Sequence, residues 1–169
     1  MKTIITLVTY DRWANLRLLH SAAVLDHQIF NRVVPSSFPS VQQTFVHLLW
    51  AESLWLARWR GRSYVASLNS EDYPTPESLR VQFEDVHAKQ LQFLSGLPPS
   101  AATQVVGYVN FSGKKWEHAL RDLVQHLVVH SAHHRGQITT LFRHLNLVPP
   151  TTGYLAFLDE FQSTPDQAL

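Results

Sequence analysis

The stretch from Trp116 to Asn146 restricts the possible folds of this chain more than any other. Trp116, Leu120, Leu123, Leu127, Leu141 and Leu145 recur in steps of three and four, the spacing of one apolar helix face. Continued across the gap between Leu127 and Leu141, that stripe falls on His130 and His134. Two histidines thus stand where the pattern calls for core. Residues four apart lie one above the other on a helix, so their imidazoles reach a common point. A buried polar group without a partner costs about 1–3 kcal/mol. The pair therefore needs a shared partner, and a divalent metal ion is the expected one.

Three more helices precede this one. The first is expected from Ile4 to Phe30, with Trp13, Leu16, His20 and Ala23 at helical intervals, and it ends before Pro35. The second starts at Ser40 as N-cap, with Gln43 three residues later as in a capping box. Its run from Phe45 to Trp59 is apolar almost all round, and Gly61 stops it. The third opens at Thr75-Pro76, presents Leu79, Phe83, Val86, Leu91 and Leu94 on one face, and ends at Gly96 and Pro98-Pro99. The fourth closes before Pro149-Pro150. Between the last two, Gln104 to Phe111 is rich in valine and aromatics and leads to Ser112-Gly113, which predicts a short strand or hairpin. Gly153 to Phe161 predicts a last short helix. Four long amphipathic segments with moderate connections predict an all-α four-helix bundle. It forms one domain over residues 1–161, with 162–169 as a frayed tail.

A metal inside a bundle needs ligands from more than one helix. His47, between Phe45-Val46 and Leu48-Leu49-Trp50, is the candidate on the second helix. Alone, a histidine in such surroundings is more often a satisfied core residue; the His130–His134 pair favours the ligand. Three neutral imidazoles from two helices make a compact facial set and leave positions open for water or substrate.

At about 100° per residue, His126, His133 and His144 fall towards one flank of the stripe. His126 is a supporting group, an alternative ligand or an ordinary polar neighbour; His133 lies at the boundary or in solvent. His20, His27, His87 and His118 have no partner at ligand spacing and read as structural or surface residues. Glu52 and His126 are the nearest candidates for a catalytic base. Glu52 lies five residues past His47, about 140° round the helix, which argues against a shared face. Arg135 either pairs with a carboxylate such as Glu52 or serves at the surface. Gly136 costs its helix about 1 kcal/mol relative to alanine, and close approach of a neighbouring helix would account for it.

Composition excludes several function classes. Among 169 residues, 14 are Lys or Arg and 13 are Asp or Glu, and no basic run exceeds Lys114-Lys115. The field that drives phosphate-backbone binding is absent, so nucleic acid is not expected as a partner. There is no cysteine, which rules out disulfides, cysteine-ligated zinc, a thiol nucleophile and an iron–sulfur cluster. Sulfur chemistry here would need a thiol cosubstrate. Charged residues make up only 16%, below the usual quarter or so; a homodimer or a monomer with a neutral polar surface fits that figure. The N-terminus lacks the long apolar core of a signal peptide. No apolar run approaches about 18 residues, so no membrane span is expected and a cytoplasmic location is the default.

The chain resembles the DinB-like (DNA-damage-inducible) proteins, which share a fold with bacterial low-molecular-weight-thiol transferases. The likeness rests on Tyr10 to Asn15 (YDRWAN), His47 in HLLWAESLWLAR, the Ser112-Gly113 turn leading to Trp116, HLVVHSAHHRGQ ending at Gln137, and GYLAFLDE from Gly153 to Glu160. It spans nearly the whole chain. The resemblance implies a four-helix bundle with a divalent metal, commonly nickel or zinc (iron, manganese or cobalt also suit the ligands), held by His47, His130 and His134. It further implies a homodimer and transfer of a small thiol onto an electrophilic small-molecule substrate, a detoxification or stress reaction. Metal-assisted hydrolysis and a metal that serves only stability or binding are the alternatives.

Overall fold

The computed structural model describes residues 1–162, the side chain of Gln162 excepted. Apart from that residue's backbone, the expected frayed tail, 162–169, lies outside them. The elements are α1 (Lys2–Ala22), α2 (His27–Phe30), α3 (Val41–Trp59), α4 (Pro76–Ser95), β1 (Val105–Val109), β2 (Lys115–Ala119), α5 (Leu120–His144) and α6 (Tyr154–Gln162). The four long helices, α1, α3, α4 and α5, form the bundle predicted from the sequence.

Their arrangement sets up everything that follows. α1 packs on α4 and α5, and α3 packs on the same two. The first and second long helices therefore stand at opposite corners, and α3 faces α5 directly. A core of Leu18, Phe45, Leu48, Phe83, Leu94, Leu127, Ile138 and Phe142 fills the space between them. Each carries an apolar face inward, and α3 is buried on almost every side, as its composition requires.

Local chemistry sets the helix ends. The Gln43 N–H donates to Ser40 Oγ at 3.1 Å. Among the described residues, the reciprocal bond of a capping box forms at Thr75 and Ser78 instead, so the box expected at Ser40 is only half made. At the other end of α3 the Arg62 N–H donates to the Ala57 carbonyl and the Gly61 N–H to that of Arg58, both at 2.9 Å. This bonding pattern needs a left-handed residue, and Gly61 has φ of 77°. Asn146 does the same for α5 with φ of 59°.

Two boundaries differ from expectation. The first helix stops at Ala22, because Asp26 Oδ1 accepts the Ile29 N–H at 2.7 Å and starts a separate short helix. Trp116 is not helical. It lies in β2, opposite Tyr108 in an antiparallel hairpin running from Val105↔Ala119 to Val109↔Lys115. The Asn110 side chain accepts from Ser112 N–H and Lys114 N–H to shape the turn. Period-four spacing continued by chance from the strand into the helix. Among the described residues, no helix is long and apolar enough to cross a membrane.

Candidate metal centre

The α3–α5 contact brings three imidazoles together. His47 Nε2 lies 3.4 Å from His130 Nε2 and 3.2 Å from His134 Nε2, and the last two are 3.1 Å apart. A cation about 2.1 Å from each nitrogen holds them about 3.0 Å apart at right angles and about 3.4 Å apart at tetrahedral angles. The triangle thus has the dimensions of a three-nitrogen metal site, and the group could hold a metal ion.

Electrostatics agree with that use. Burial, followed by the neighbouring His134, lowers the His47 pKa to about 4. Burial and the adjoining imidazoles lower His130 to about 3. His134 is lowered as well, chiefly by burial. Neutral rings at neutral pH present lone pairs rather than N–H⁺ groups, which is what a cation needs. The tautomer is set from behind. His134 Nδ1 and Gln137 Oε1 are 2.7 Å apart; with the amide oxygen as acceptor, Nδ1–H donates and Nε2 keeps its lone pair. Gln137 Nε2 donates in turn to His133 Nε2 at 3.2 Å and Ser37 Oγ at 3.4 Å.

Aromatic side chains wall the group. Phe38 stacks on His47 with ring centroids 4.3 Å apart and meets His134 edge-on. Trp50 lies beside His47 and stacks on Phe111 from the hairpin turn. Sequence spacing gave no access to Phe38 or Phe111, since both come from loops. Gln137 was accessible, three residues past His134 on the same face. His126 is exposed, its ring 6.3 Å from that of His130 and 4.8 Å from Trp55. His133 is exposed too.

Glu52 is not at this group. It is fully buried on the far side of α3, where Oε1 accepts from Asn15 Nδ2 at 3.3 Å and Ser131 Oγ at 3.0 Å, and Oε2 from Gln90 Nε2 at 2.7 Å. The 140° offset from His47 has this consequence. Arg135 does not pair with Glu52 either, and it is not at the surface. Its guanidinium is buried and donates to Asp11 Oδ1, to Asn15 Oδ1 at 2.9 Å and to Tyr10 Oη at 3.3 Å. Asp11 lies on α1, which flanks α5 and is nearer that face than α3. His87, read as structural or surface, is fully buried in the same cluster, 3.8 Å from Glu52. Asp11, Glu52 and His87 also bring ligand-type atoms together, but Arg135 already supplies their positive charge. Burial pushes the Asp11 carboxyl up to about 8 against the pull of Arg135. Gly136 has no neighbour where a Cβ would stand, so close helix packing does not account for it.

The N-terminal motif is explained by this packing. Asp11 and Asn15 hold Arg135, while Tyr10 and Trp13 each lie 5.7 Å from Phe157 and seat α6 on α1. Tyr10 Oη also donates to the Thr152 carbonyl at 2.9 Å.

Known proteins resemble this chain in sequence or in fold. The DinB protein of Bacillus subtilis (strain 168) is 22% identical, with 90% of this chain and 91% of that protein aligned. The uncharacterized protein YrdA of the same organism is 30% identical over 48% of each chain. Among solved structures, a DinB-like protein from Bacillus cereus ATCC 10987 superposes with a TM-score of 0.70 at 17% identity, covering 89% of this chain and 96% of that one. Bacillus subtilis YfiT, described as a probable metal-dependent hydrolase with an unusual four-helix bundle topology, gives 0.66 at 15% identity over 87% and 90%. The DinB family pattern itself matches residues 1–166, and the chain therefore belongs to the DinB family.

Proposed function

We propose that this protein is a divalent-metal-dependent enzyme whose His47, His130 and His134 hold the metal. The observation that carries the reading is the triangle of Nε2 atoms at 3.1–3.4 Å, drawn from two helices, with burial lowering the pKa of all three rings. When bound, such a cation supplies Lewis acidity that lowers the pKa of a water or thiol and leaves coordination positions for it. Gln137 holds His134 in the ligating tautomer, and Phe38 shields His47 from solvent. His126, whose ring stands 6.3 Å from that of His130, is the residue we assign to accept a proton from the nucleophile.

The reaction assigned first is transfer of a low-molecular-weight thiol onto an electrophilic small molecule. A chain without cysteine must take its sulfur from a cosubstrate. Metal-assisted hydrolysis is the second reading, favoured by the description of YfiT. Nickel and zinc are the metals assigned first, since an imidazole set suits both.

Elemental analysis of protein purified without a histidine tag tests the site, followed by assays of thiol consumption against an electrophile and of ester cleavage. His130→Ala and His134→Ala should each abolish metal binding and activity while helix content persists. His133→Ala should alter neither. Loss of metal in His133→Ala but not in His130→Ala would overturn the assignment. If stripping the metal changes melting temperature alone, the metal is structural.

A further inference from the structure

One helical turn before His130, about 6 Å along α5, the ring of His126 forms part of the wall of a cavity of about 650 Å³. Trp55, Tyr108, Phe111 and Trp116 supply its apolar walls, and Arg58 supplies a charge. None of the three metal-site histidines lines this space, and of its walls the reaction proposed above uses only His126.

Arg58 is what makes the cavity informative. It is 5% exposed, and its guanidinium carbon lies 4.7 Å from the Trp55 ring, 4.5 Å from Tyr108 and 5.5 Å from Phe111. One of its five N–H donors is used among the described residues: Nε donates to the Ser63 carbonyl at 3.4 Å. Among the described residues no carboxylate pairs with it. The other buried arginine, Arg135, has Asp11, Asn15 and Tyr10 around it. A desolvated guanidinium is costly unless an anion meets it, and aromatic faces compensate only part of that cost. Asp122, also on the cavity wall, is half exposed and lies 3.4 Å from its neighbour Arg121.

We infer that this cavity binds a carboxylate-bearing small molecule with a flat apolar body, the carboxylate on Arg58 and the body between Trp55, Tyr108, Phe111 and Trp116. Its role as a substrate site rests on the metal-enzyme reading above. The planar fork of a guanidinium accepts a carboxylate through two parallel N–H···O bonds, and the aromatic walls suit a flat apolar group. The carboxylate belongs either to the electrophile or to the thiol cosubstrate. Both place a reacting group towards His126 and the adjoining histidines.

Tryptophan fluorescence titration of the full chain tests this, with Trp55 and Trp116 as reporters. The probes are 3-phenylpropionate against 3-phenylpropanamide, and N-acetylcysteine against its amide. The acid should bind about tenfold more tightly than its amide, the discrimination of one charge-assisted contact. Tighter binding of 3-phenylpropionate than of N-acetylcysteine favours the electrophile as the source of the carboxylate, and the reverse order favours the thiol. Arg58→Met should abolish the preference and Arg58→Lys should retain part of it, with helix content checked by circular dichroism. In His134→Ala the preference should persist although metal is lost. Equal binding of acid and amide by the unaltered protein, or no binding of either acid, overturns the inference without any variant having to fold. Metal content is measured on the same samples. Metal without acid preference sinks this inference alone, whereas acid preference without metal sinks the enzyme reading and leaves a carboxylate-binding site.

Discussion

His134 and Arg135 are neighbours in sequence, yet they serve two different polar interiors. His134 enters a group of three imidazoles whose pKa values burial lowers and whose Nε2 atoms are turned towards one another. Arg135 enters a cluster in which the carboxylates of Asp11 and Glu52 are met by guanidinium, amide and hydroxyl donors. The first could hold a cation from outside; the second carries its cation within the chain. That contrast separates a site from a brace. Histidines alone do not mark the difference, since His87 sits in the brace and among the described residues neither of its ring nitrogens makes a hydrogen bond.

The sharpest way to break the contrast is to remove the internal cation. Arg135→Ala leaves Asp11 and Glu52 buried without it, and loss of one partner from a buried pair costs about 3–5 kcal/mol. Chemical denaturation should show a loss of that size. A loss under about 1 kcal/mol, the range of surface pairs, would mean that the cluster does not brace the bundle.

Acid should sharpen the comparison next. Burial holds the His87 pKa down, from 6.5 to about 4. Between those values the unfolded chain binds the extra proton, so the contribution of His87 is full above about pH 6.5 and is lost as pH falls towards 4. Asp11 has the opposite sign: its raised carboxyl favours the folded state at low pH, and that contribution fades as pH rises from 3.8 towards about 8. His87→Leu should therefore remove a rise of up to about 3 kcal/mol between pH 4 and 6.5 and leave the opposite trend of Asp11. An unchanged slope between pH 4 and 6.5 would contradict a neutral His87.

The smallest of the three effects concerns the metal group. Gln137→Leu removes the acceptor that fixes the His134 tautomer. Support of this kind is worth about 10- to 100-fold in metal affinity. Competition titration with a chelator should show that loss with folding intact, whereas the same titration on Arg135→Ala would be dominated by unfolding. An unaltered affinity would mean that His134 needs no fixing from behind.

Much of the bundle is legible in the sequence itself. Helix ends such as Gly61 and Thr75-Pro76 follow from backbone chemistry within a few residues, and α3 announced its burial by being apolar all round. The errors arose where local patterns compete. Trp116 matched a helical stripe but belongs to a hairpin, because a run of five residues is too short for periodicity to separate the two. Asp26 interrupted the first helix, because its carboxylate caps a backbone N–H that the helix would otherwise use.

At the site, spacing alone placed His130 and His134 on one face, because helical geometry is a property of consecutive residues. Tertiary packing decided which helix stands opposite. α3 occupies the corner next to α5, so His47 completes the triangle while Glu52, 140° round the same helix, turns to the brace. Asp11 meets Arg135 from 124 residues away. Such pairings depend on how the chain crosses the bundle, and no periodicity within a single helix carries that information.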